Sequence, residues 1–260
     1  MLVVAHVSDL HLGAHLPGAV DDLVADVVAA APALTVVTGD HTMRARTGQF
    51  RAVRTLLDRL PHPLLAVLGN HDVPLGPARA FTPYTRYRRW VEADLDPVVR
   101  IPGLTALGLQ SMPRWRWKNG RVSRRQASLL VGTLGAAPTG DVRLLALHHP
   151  PFARGTAQLV GRGRLGRGVA EAGADLVLAG HTHVPDVREK TLVAPDGTRR
   201  RAVVVIAGTA TSRRHRGVGL SWSRIMVDDD EIVVDERYCG DSGWRTGRTV
   251  SCRRADHTSR

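Results

Sequence analysis

Short apolar segments, many of them rich in β-branched residues, alternate with longer amphipathic segments along most of the chain. The short segments predict strands at Leu2–Val7, Leu34–Thr38, Leu64–Leu68, Leu104–Leu109, Val142–Leu147, Asp175–Ala179, Ala202–Ala207, Gly219–Val227 and Ile232–Arg237. The amphipathic segments predict helices near Ala19–Ala31, Thr47–Leu60 and Ser123–Leu134. Strands that are apolar throughout and are separated by helices indicate a sheet buried on both faces.

The last three predicted strands follow one another without an intervening helix, which is typical of antiparallel meanders. With the earlier alternation, this predicts the α/β class: a layered α-β-β-α sandwich with two mixed sheets flanked by helices. We expect residues 1–239 to form this domain. Residues 240–260 are predicted to be a basic, flexible tail, because they are poor in aliphatic residues. The Gly/Arg-rich segment Val160–Gly168 is predicted to be a mobile loop.

The composition excludes wholesale disorder and has one unusual feature, the charge. Hydrophobic residues make up 43% of the 260 residues and charged residues 23%, both close to globular averages. Lys and Arg total 36 against 24 Asp and Glu, which gives a net charge of +12. This charge is compatible with a nucleic-acid partner. Arginines spread over a solvated surface are favoured instead, because they occur along the whole chain without an RNA- or DNA-binding motif.

Disulfide-rich, secreted and membrane proteins are all disfavoured. Cys239 and Cys252 are too few for a disulfide framework, and free thiols are favoured over a single bridge. The N-terminus lacks the basic region of a signal peptide, and no apolar run reaches the roughly 18 residues of a membrane span. We therefore expect a soluble, cytoplasmic protein that does not bind membranes.

Ionisable or amide side chains follow five of the predicted strands, at the point where each strand ends. The five turns read Ser8-Asp9-Leu10-His11, Thr38-Gly39-Asp40-His41, Leu68-Gly69-Asn70-His71-Asp72, Leu147-His148-His149-Pro150 and Ala179-Gly180-His181-Thr182-His183. Because the functional crevice of an open α/β sheet lies beyond the carboxyl ends of its strands, we expect these side chains to converge.

Clustered carboxylates and imidazoles in one crevice predict a metal centre, because metal ions offset their mutual repulsion and desolvation. A donor set of carboxylate, imidazole and one amide, without thiolate, argues against a structural zinc site. It suits Mn, Fe or Zn in a catalytic site. Seven protein ligands exceed the usual share of one ion, so two ions bridged by one carboxylate fit the count.

The five motifs, in this order, resemble those of the calcineurin-like metallophosphoesterase family, over residues 3 to about 210. The branch with class III cyclic-nucleotide phosphodiesterases is the most similar. The stretches that carry this resemblance are Ser-Asp-Leu-His-Leu-Gly from residue 8, Gly-Asn-His-Asp-Val-Pro-Leu from residue 69, and Trp-Lys-Asn-Gly-Arg-Val-Ser-Arg-Arg-Gln at 117–126. The motif pattern is specific for the superfamily and much less specific for the substrate.

The resemblance also implies roles for individual residues. It assigns Asp9, His11 and His183 to a first metal, Asn70, His148 and His181 to a second, and Asp40 to both. His148 is chosen over His149 because the family's ligand usually stands two residues before the proline, so His149 is expected beside the site. His71 would face the substrate instead of binding metal.

The implied mechanism is in-line attack on phosphorus by a hydroxide that bridges the two ions. His71 would stabilise the developing charge or protonate the leaving oxygen. Arg44 would bind phosphate, although a solvated arginine beside a helix is an equally good interpretation.

Two positions depart from relatives in the family. His41 stands where the similar branch has a hydrophobic residue, and it either packs behind Asp40 or influences the choice of metal. Met43 replaces an aspartate that orients the catalytic histidine in phosphoprotein phosphatases, which disfavours that activity. The segment Pro113–Arg125 could cap the site, with Trp115 or Trp117 stacking on a base, although a core or surface tryptophan is the commoner outcome.

The leading hypothesis is a dinuclear phosphodiesterase acting on a small phosphodiester, with cyclic nucleotides as candidates. One alternative keeps the metals but uses a phosphomonoester, a pyrophosphate or a nucleic-acid end. An alternative from another class is a non-catalytic, basic nucleic-acid-binding protein. The small phosphoester partner is favoured over nucleic acid, because every ligand position of the family is filled.

Overall fold

Two six-stranded mixed sheets face one another in the computed structural model, which describes residues 1–153 and 158–254. The first sheet contains Leu2–Val7 (β1), Leu34–Val37 (β2), Leu64–Ala66 (β3), Ser221–Val227 (β10), Glu231–Gly240 (β11) and Gly243–Arg253 (β12). Its strand order is β12-β11-β10-β1-β2-β3. Strands β1, β2 and β3 are parallel, whereas β10, β11 and β12 pair antiparallel.

The second sheet is built from the middle of the chain. It contains Val98–Ile101 (β4), Leu104–Leu109 (β5), Val142–Leu147 (β6), Leu176–His183 (β7), Asp186–Val193 (β8) and Arg199–Gly208 (β9). Its order is β4-β5-β6-β7-β9-β8, with β5, β6, β7 and β9 parallel and the two edge strands antiparallel to their neighbours.

Four helices of eleven residues each cover the outer faces of the two sheets, and two shorter helices follow the 3₁₀ turn after β3. They span Ala19–Ala29 (α1), Thr47–Leu57 (α2), Pro77–Phe81 (α3), Thr85–Trp90 (α4), Arg124–Leu134 (α5) and Arg162–Ala172 (α6), and Asn70–Asp72 form a short 3₁₀ turn. Leu23 of α1 and Val53 of α2 pack with Val7 of the first sheet. Leu130 of α5 and Leu165 of α6 pack with Leu145 of the second sheet.

Alternate residues of the same strands point the other way, into a layer between the two sheets. Val4 and Val36 of the first sheet pack there with Leu144 and Leu178 of the second. This inner layer and the two outer ones confirm the predicted α-β-β-α sandwich with two mixed sheets. No helix within the described residues is long and apolar enough to cross a membrane.

The predicted loop at Val160–Gly168 is wrong, because α6 begins at Arg162. Leu165, Val169 and Ala172 recur at helical spacing and are buried against the second sheet, which outweighs the poor helix propensity of the glycines. At Gly168 a Cβ would lie 3.2 Å from Leu130 Cδ2. The missing side chain therefore lets α5 and α6 approach closely.

The expectation of a flexible tail from Gly240 also differs from the structure, since β12 pairs with β11 along its length. Cys252 is buried in the layer between the sheets, and Thr249 Oγ1 donates to Asp235 Oδ1 at 2.6 Å. Cys239 and Cys252 are free thiols, as the sequence favours. Residues 255–260 of the predicted tail lie outside the described residues.

The three strands predicted as one meander fall into two sheets. Strand β9 joins the second sheet beside β7, whereas β10 and β11 continue the first sheet from β1. Strands β4 and β8 lie at sheet edges and are not among the predicted strands. Strand β4 is only four residues long and is interrupted by Arg100, and β8 is mostly polar, so neither shows a long continuous apolar run.

Candidate metal centre

The five polar strand ends meet at one edge of the sandwich, three from the first sheet and two from the second. Backbone-to-side-chain hydrogen bonds join the turns directly. His71 N donates to Asp40 Oδ1 at 2.8 Å, and His181 N donates to Asp9 Oδ2 at 2.9 Å. The structure therefore brings together the turns that the sequence predicts to converge.

One group of donors comprises Asp9, His11, Asp40 and His183, whose candidate ligand atoms all lie within 4.8 Å of one another. His183 Nε2 lies 3.1 Å from Asp9 Oδ1 and 3.1 Å from His11 Nε2. His11 Nε2 is 3.7 Å from Asp40 Oδ2. All four side chains are buried. This group has the size and chemistry of one metal site.

A second group lies on the other side of Asp40. His148 Nε2 is 3.1 Å from Asn70 Oδ1 and 3.5 Å from Asp40 Oδ2. His181 Nδ1 is 3.0 Å from Asn70 Oδ1 and 3.2 Å from His148 Nε2. Asp40 Oδ2 therefore lies near imidazole nitrogens of both groups, which is the position expected for a shared ligand.

His149 could be grouped with His148 and His181 by distance alone. Both of its nitrogens are already engaged, however, because Nδ1 pairs with Ser111 Oγ at 2.8 Å and Nε2 with the Lys118 carbonyl at 2.8 Å. Burial, together with the neighbouring imidazoles, holds the pKa of His149 well below its ordinary value. His149 is thus a neutral brace in the wall of the site.

Backbone carbonyls orient two of the candidate ligand histidines. His148 Nδ1 donates to the Thr38 carbonyl at 2.7 Å, and His183 Nδ1 donates to the Arg214 carbonyl at 2.6 Å. When either ring is neutral, its Nε2 atom carries the lone pair, which points into the cluster. Asp9 Oδ1 is buried there without a hydrogen bond from any described residue. These open lone pairs fit bound metal ions.

The carboxylates are ionised in this environment. Burial alone would raise the pKa of Asp9 and of Asp40, but the surrounding imidazoles outweigh it and hold both pKa values below the usual range. Burial would lower the pKa of His148, yet Asp40 raises it to about 9. The cluster therefore offers anionic oxygens, and a metal ion would compete with a proton at His148.

Five of the candidate ligand residues have a left-handed backbone, which non-glycine residues seldom adopt. Their φ angles are 53° at Asp9, 47° at His11, 51° at Asp40, 72° at His181 and 60° at His183. Each such residue costs on the order of 1 kcal/mol or more, and such strain clusters at functional sites. The surrounding fold holds these turns in the conformation that aims their side chains inward.

Two glycines of the motifs allow the turns to touch. A Cβ at Gly69 would overlap the backbone nitrogen and Oδ1 of Asp40. A Cβ at Gly180 would overlap Ser8 Oγ and Asp9 Oδ2. Any side chain at these positions would therefore displace a candidate ligand.

Asp72 joins the second and third turns, a role that the sequence analysis missed. Its carboxylate accepts from the backbone nitrogens of Gly69, His41 and Thr42 at 3.0, 3.2 and 2.8 Å. It also accepts from His41 Nδ1 at 2.9 Å and Thr42 Oγ1 at 3.0 Å. The ring of His41 is buried and lies against Tyr87.

The cluster opens to the surface beside His71. The opening, which we call the mouth, is a depression of about 160 Å³ lined by Arg44, Asn70, His71, Arg79, Trp117 and Lys118, among others. His71 Nδ1 donates to the Met43 carbonyl at 2.9 Å. A backbone carbonyl at position 43 thus orients this histidine.

Arg214 is a second residue that the sequence analysis missed. Its Nη1 lies 3.3 Å from His71 Nε2, and its carbonyl holds His183. The only signal in the sequence is the run of basic residues from Arg213 to Arg216, which follows β9. Nothing in that run distinguishes Arg214 from its neighbours.

Comparison with known proteins agrees with this geometry. The family model described as calcineurin-like phosphoesterase matches residues 2–185. The chain belongs to this family. A cAMP/cGMP dual specificity phosphodiesterase of Mycobacterium tuberculosis is 30% identical over 202 residues, covering 70% of this chain and 61% of the relative.

Other relatives carry similar names. A probable cyclic nucleotide phosphodiesterase of Synechococcus is 29% identical over 201 residues, covering 70% of this chain and 73% of the relative. Another, of Rhodococcus erythropolis, is 28% identical and covers 69% of this chain and 64% of the relative. The matched region thus spans less than two thirds of the mycobacterial and rhodococcal relatives.

Among solved structures, a purple acid phosphatase from yellow lupin seeds superposes with a TM-score of 0.70 at 11% identity. The match covers 96% of this chain and 53% of the phosphatase. At this identity the similarity shows the fold alone.

Proposed function

We propose that the phosphoesterase acts on a small phosphodiester, with cyclic nucleotides as the leading candidates. The observation that carries this proposal is that Asp40 Oδ2 lies 3.7 Å from His11 Nε2 in one donor group and 3.5 Å from His148 Nε2 in the other. Backbone carbonyls aim the Nε2 atoms of His148 and His183 inward. The names of the relatives support the choice of a diester. Asp9, His11 and His183 would hold one metal ion, and Asn70, His148 and His181 the other.

Two ions bound there, of Mn, Fe or Zn, would lower the pKa of a water molecule and neutralise phosphoryl oxygens. The protein's own part is to orient and bind the ester. His71, with Nδ1 held by the Met43 carbonyl, presents Nε2 to the mouth. From there Nε2 can hydrogen-bond a phosphoryl oxygen or pass a proton to the leaving oxygen.

Two guanidinium groups lie beside His71. Arg214 contacts His71 Nε2, and Arg44 lines the mouth with an exposed side chain. Guanidinium groups bind phosphate oxygens through paired hydrogen bonds. We assign both arginines to the non-bridging oxygens of the substrate, where they stabilise charge that develops during hydrolysis.

Hydrolysis of bis(p-nitrophenyl) phosphate and of cyclic AMP by the full chain with added Mn²⁺ tests this function. Asp40→Ala and Asn70→Ala each remove a proposed ligand and should lower kcat/KM by more than the roughly 10–100-fold typical of outer-shell changes. Asp58→Ala is the matched control, because Asp58 is exposed and pairs with Arg54 on α2. Activity that survives in both ligand variants would overturn the site assignment.

The same site acting on a phosphomonoester is the second candidate. It is favoured by the several cations at the mouth, Arg44, Lys118 and Arg214, since a terminal phosphate carries more charge than a diester. Parallel assays with AMP and cyclic AMP separate the two. Phosphate released from AMP faster than cyclic AMP is opened would replace the diesterase by a monoesterase.

A further inference from the structure

An exposed tryptophan borders the mouth and has no part in the chemistry proposed above. Trp117 is 62% exposed, although it lines the same depression as Asn70 and His71. Large aromatic side chains left exposed in a concave site are typical of ligand contacts. Trp117 lies in the segment Pro113–Lys118, which we call the tryptophan loop.

The Arg79 side chain supports the indole. Its guanidinium carbon lies 4.5 Å from the centroid of the Trp117 ring, the distance of a cation–π contact. Arg79 itself is 7% exposed, which is unusual for an arginine. The indole is therefore held in place by a buried cation.

Arg79 is buried because its donors bind the tryptophan loop. Nε donates to the Arg114 carbonyl at 2.7 Å, and Nη2 donates to the Arg116 carbonyl. Nη1 donates to the Pro74 carbonyl at 3.4 Å. Buried charge is tolerated when such bonds satisfy it. One side chain thus ties the loop to the turn after Asp72 and supports the ring that the loop carries.

The far end of the tryptophan loop is fixed to the metal centre itself. His149 Nε2 donates to the Lys118 carbonyl at 2.8 Å, and His149 is the neighbour of the candidate ligand His148. Arg116 Nε donates to the Asn119 carbonyl at 3.0 Å. Because the loop is held at both ends, little ordering entropy is lost when Trp117 meets a ligand.

We infer that Trp117 stacks on the base of a nucleoside phosphate, with Arg79 as the residue that positions it. This deepens the proposed function and rests on it, since the phosphate would occupy the centre beside His71. The mouth combines an aromatic face with the cations Arg44 and Lys118, which matches a planar base joined to an anion. A depression of about 160 Å³ accommodates part of such a molecule.

Equilibrium binding of AMP and of ribose 5-phosphate to the Mn²⁺-supplied full chain tests this inference. AMP and ribose 5-phosphate share the sugar and the phosphate, so their affinity ratio measures the contribution of the base. Trp117→Ala should weaken AMP binding about 5- to 150-fold, the range of one base–aromatic stack, and leave ribose 5-phosphate unchanged.

The chain offers a matched control in the same loop. Trp115 is 65% exposed but lines a separate depression with Gln110 and Arg125. Trp115→Ala should preserve the affinity ratio. Arg79→Lys keeps the charge and loses the planar fork, so it should reduce the ratio without abolishing binding of ribose 5-phosphate.

Two results would overturn the inference. An unchanged affinity ratio in Trp117→Ala would show that the indole does not contact the base. An equal loss for both ligands would show that it contacts the sugar or only supports the loop. Because both ligands carry the same phosphate, a fault in the phosphate site would alter both affinities, so the ratio stands or falls separately from the hydrolysis that tests the proposed function.

Discussion

At the scale of single residues, the chemistry of the centre depends on what lies behind each imidazole. Backbone carbonyls of Thr38, Met43 and Arg214 accept from the outer nitrogens of His148, His71 and His183. Each bond selects one tautomer and aims the other nitrogen inward. The histidines can be picked out from the sequence. The carbonyls that orient them cannot, because every residue has a backbone carbonyl and only the fold shows which one accepts the bond.

Asp72 holds the turns that carry the candidate ligands but is not itself a candidate ligand. Its replacement therefore tests the alignment of the turns separately from the loss of a ligand. Asp72→Asn keeps the shape of the side chain but turns one acceptor oxygen into an NH₂ group. In place of Oδ1 this group faces the donors of Thr42, and in place of Oδ2 it faces those of His41 and Gly69. We expect the free energy of unfolding to fall by about 1–3 kcal/mol. Activity should fall roughly 10–100-fold as Asp40 and His71 lose their alignment.

Urea denaturation and diester hydrolysis measure the two effects of Asp72→Asn. Asp58→Asn, at the exposed residue that follows α2, provides the comparison and should change the free energy of unfolding by less than about 0.5 kcal/mol. Wild-type stability and activity in Asp72→Asn would mean that the turns are aligned without this carboxylate.

At the scale of elements, continuous apolar runs identify the buried strands. The predicted and observed elements differ where a segment lacks such a run. Strand β8 lies at a sheet edge, and only Val187 of its residues is buried. Helix α6 contains several glycines, so its composition resembles a loop although its apolar residues follow a helical period. Burial against the sheet determines its structure, and only the tertiary context supplies that burial.

If residues 162–172 form a packed helix, a substitution at a buried position should destabilise the protein, whereas in a mobile loop it should not. Leu165 is fully buried against the second sheet, so Leu165→Ala should lower the free energy of unfolding by about 2–5 kcal/mol. Arg167→Ala, on the exposed side of the same helix, should change it by less than about 0.5 kcal/mol. Thermal denaturation measures both variants, and equally small losses of stability in Leu165→Ala and Arg167→Ala would contradict a packed helix.

At the scale of the whole molecule, the centre spans the two sheets of the sandwich. The first sheet supplies Asp9, Asp40 and Asn70, and the second supplies His148 and His181. Convergence of the seven candidate ligands could be predicted from sequence because each follows the end of a predicted strand, although His181 and His183 lie within the last residues of β7 in the structure. Their supporting residues Asp72 and Arg214 could not, since these act through contacts between turns that are distant along the chain.

Several arginines have structural roles at this scale. Arg237 pairs with Asp26 across the first sheet and α1, Arg224 pairs with Asp235, and Arg79 holds the tryptophan loop. These arginines serve the fold, while Arg44 and Arg214 stand at the mouth. The positions of Arg44 and Arg214 therefore fit an anionic ligand at the mouth.

The most direct test of the central claim is the number of Mn²⁺ ions bound per chain at equilibrium, measured by titration of the wild type, His148→Ala and His149→Ala. A dinuclear centre predicts two ions in the wild type, one in His148→Ala at the same free Mn²⁺ concentration, and two in His149→Ala, because His149 only braces the wall. One ion in the wild type, or loss of an ion in His149→Ala with two retained in His148→Ala, would contradict the account.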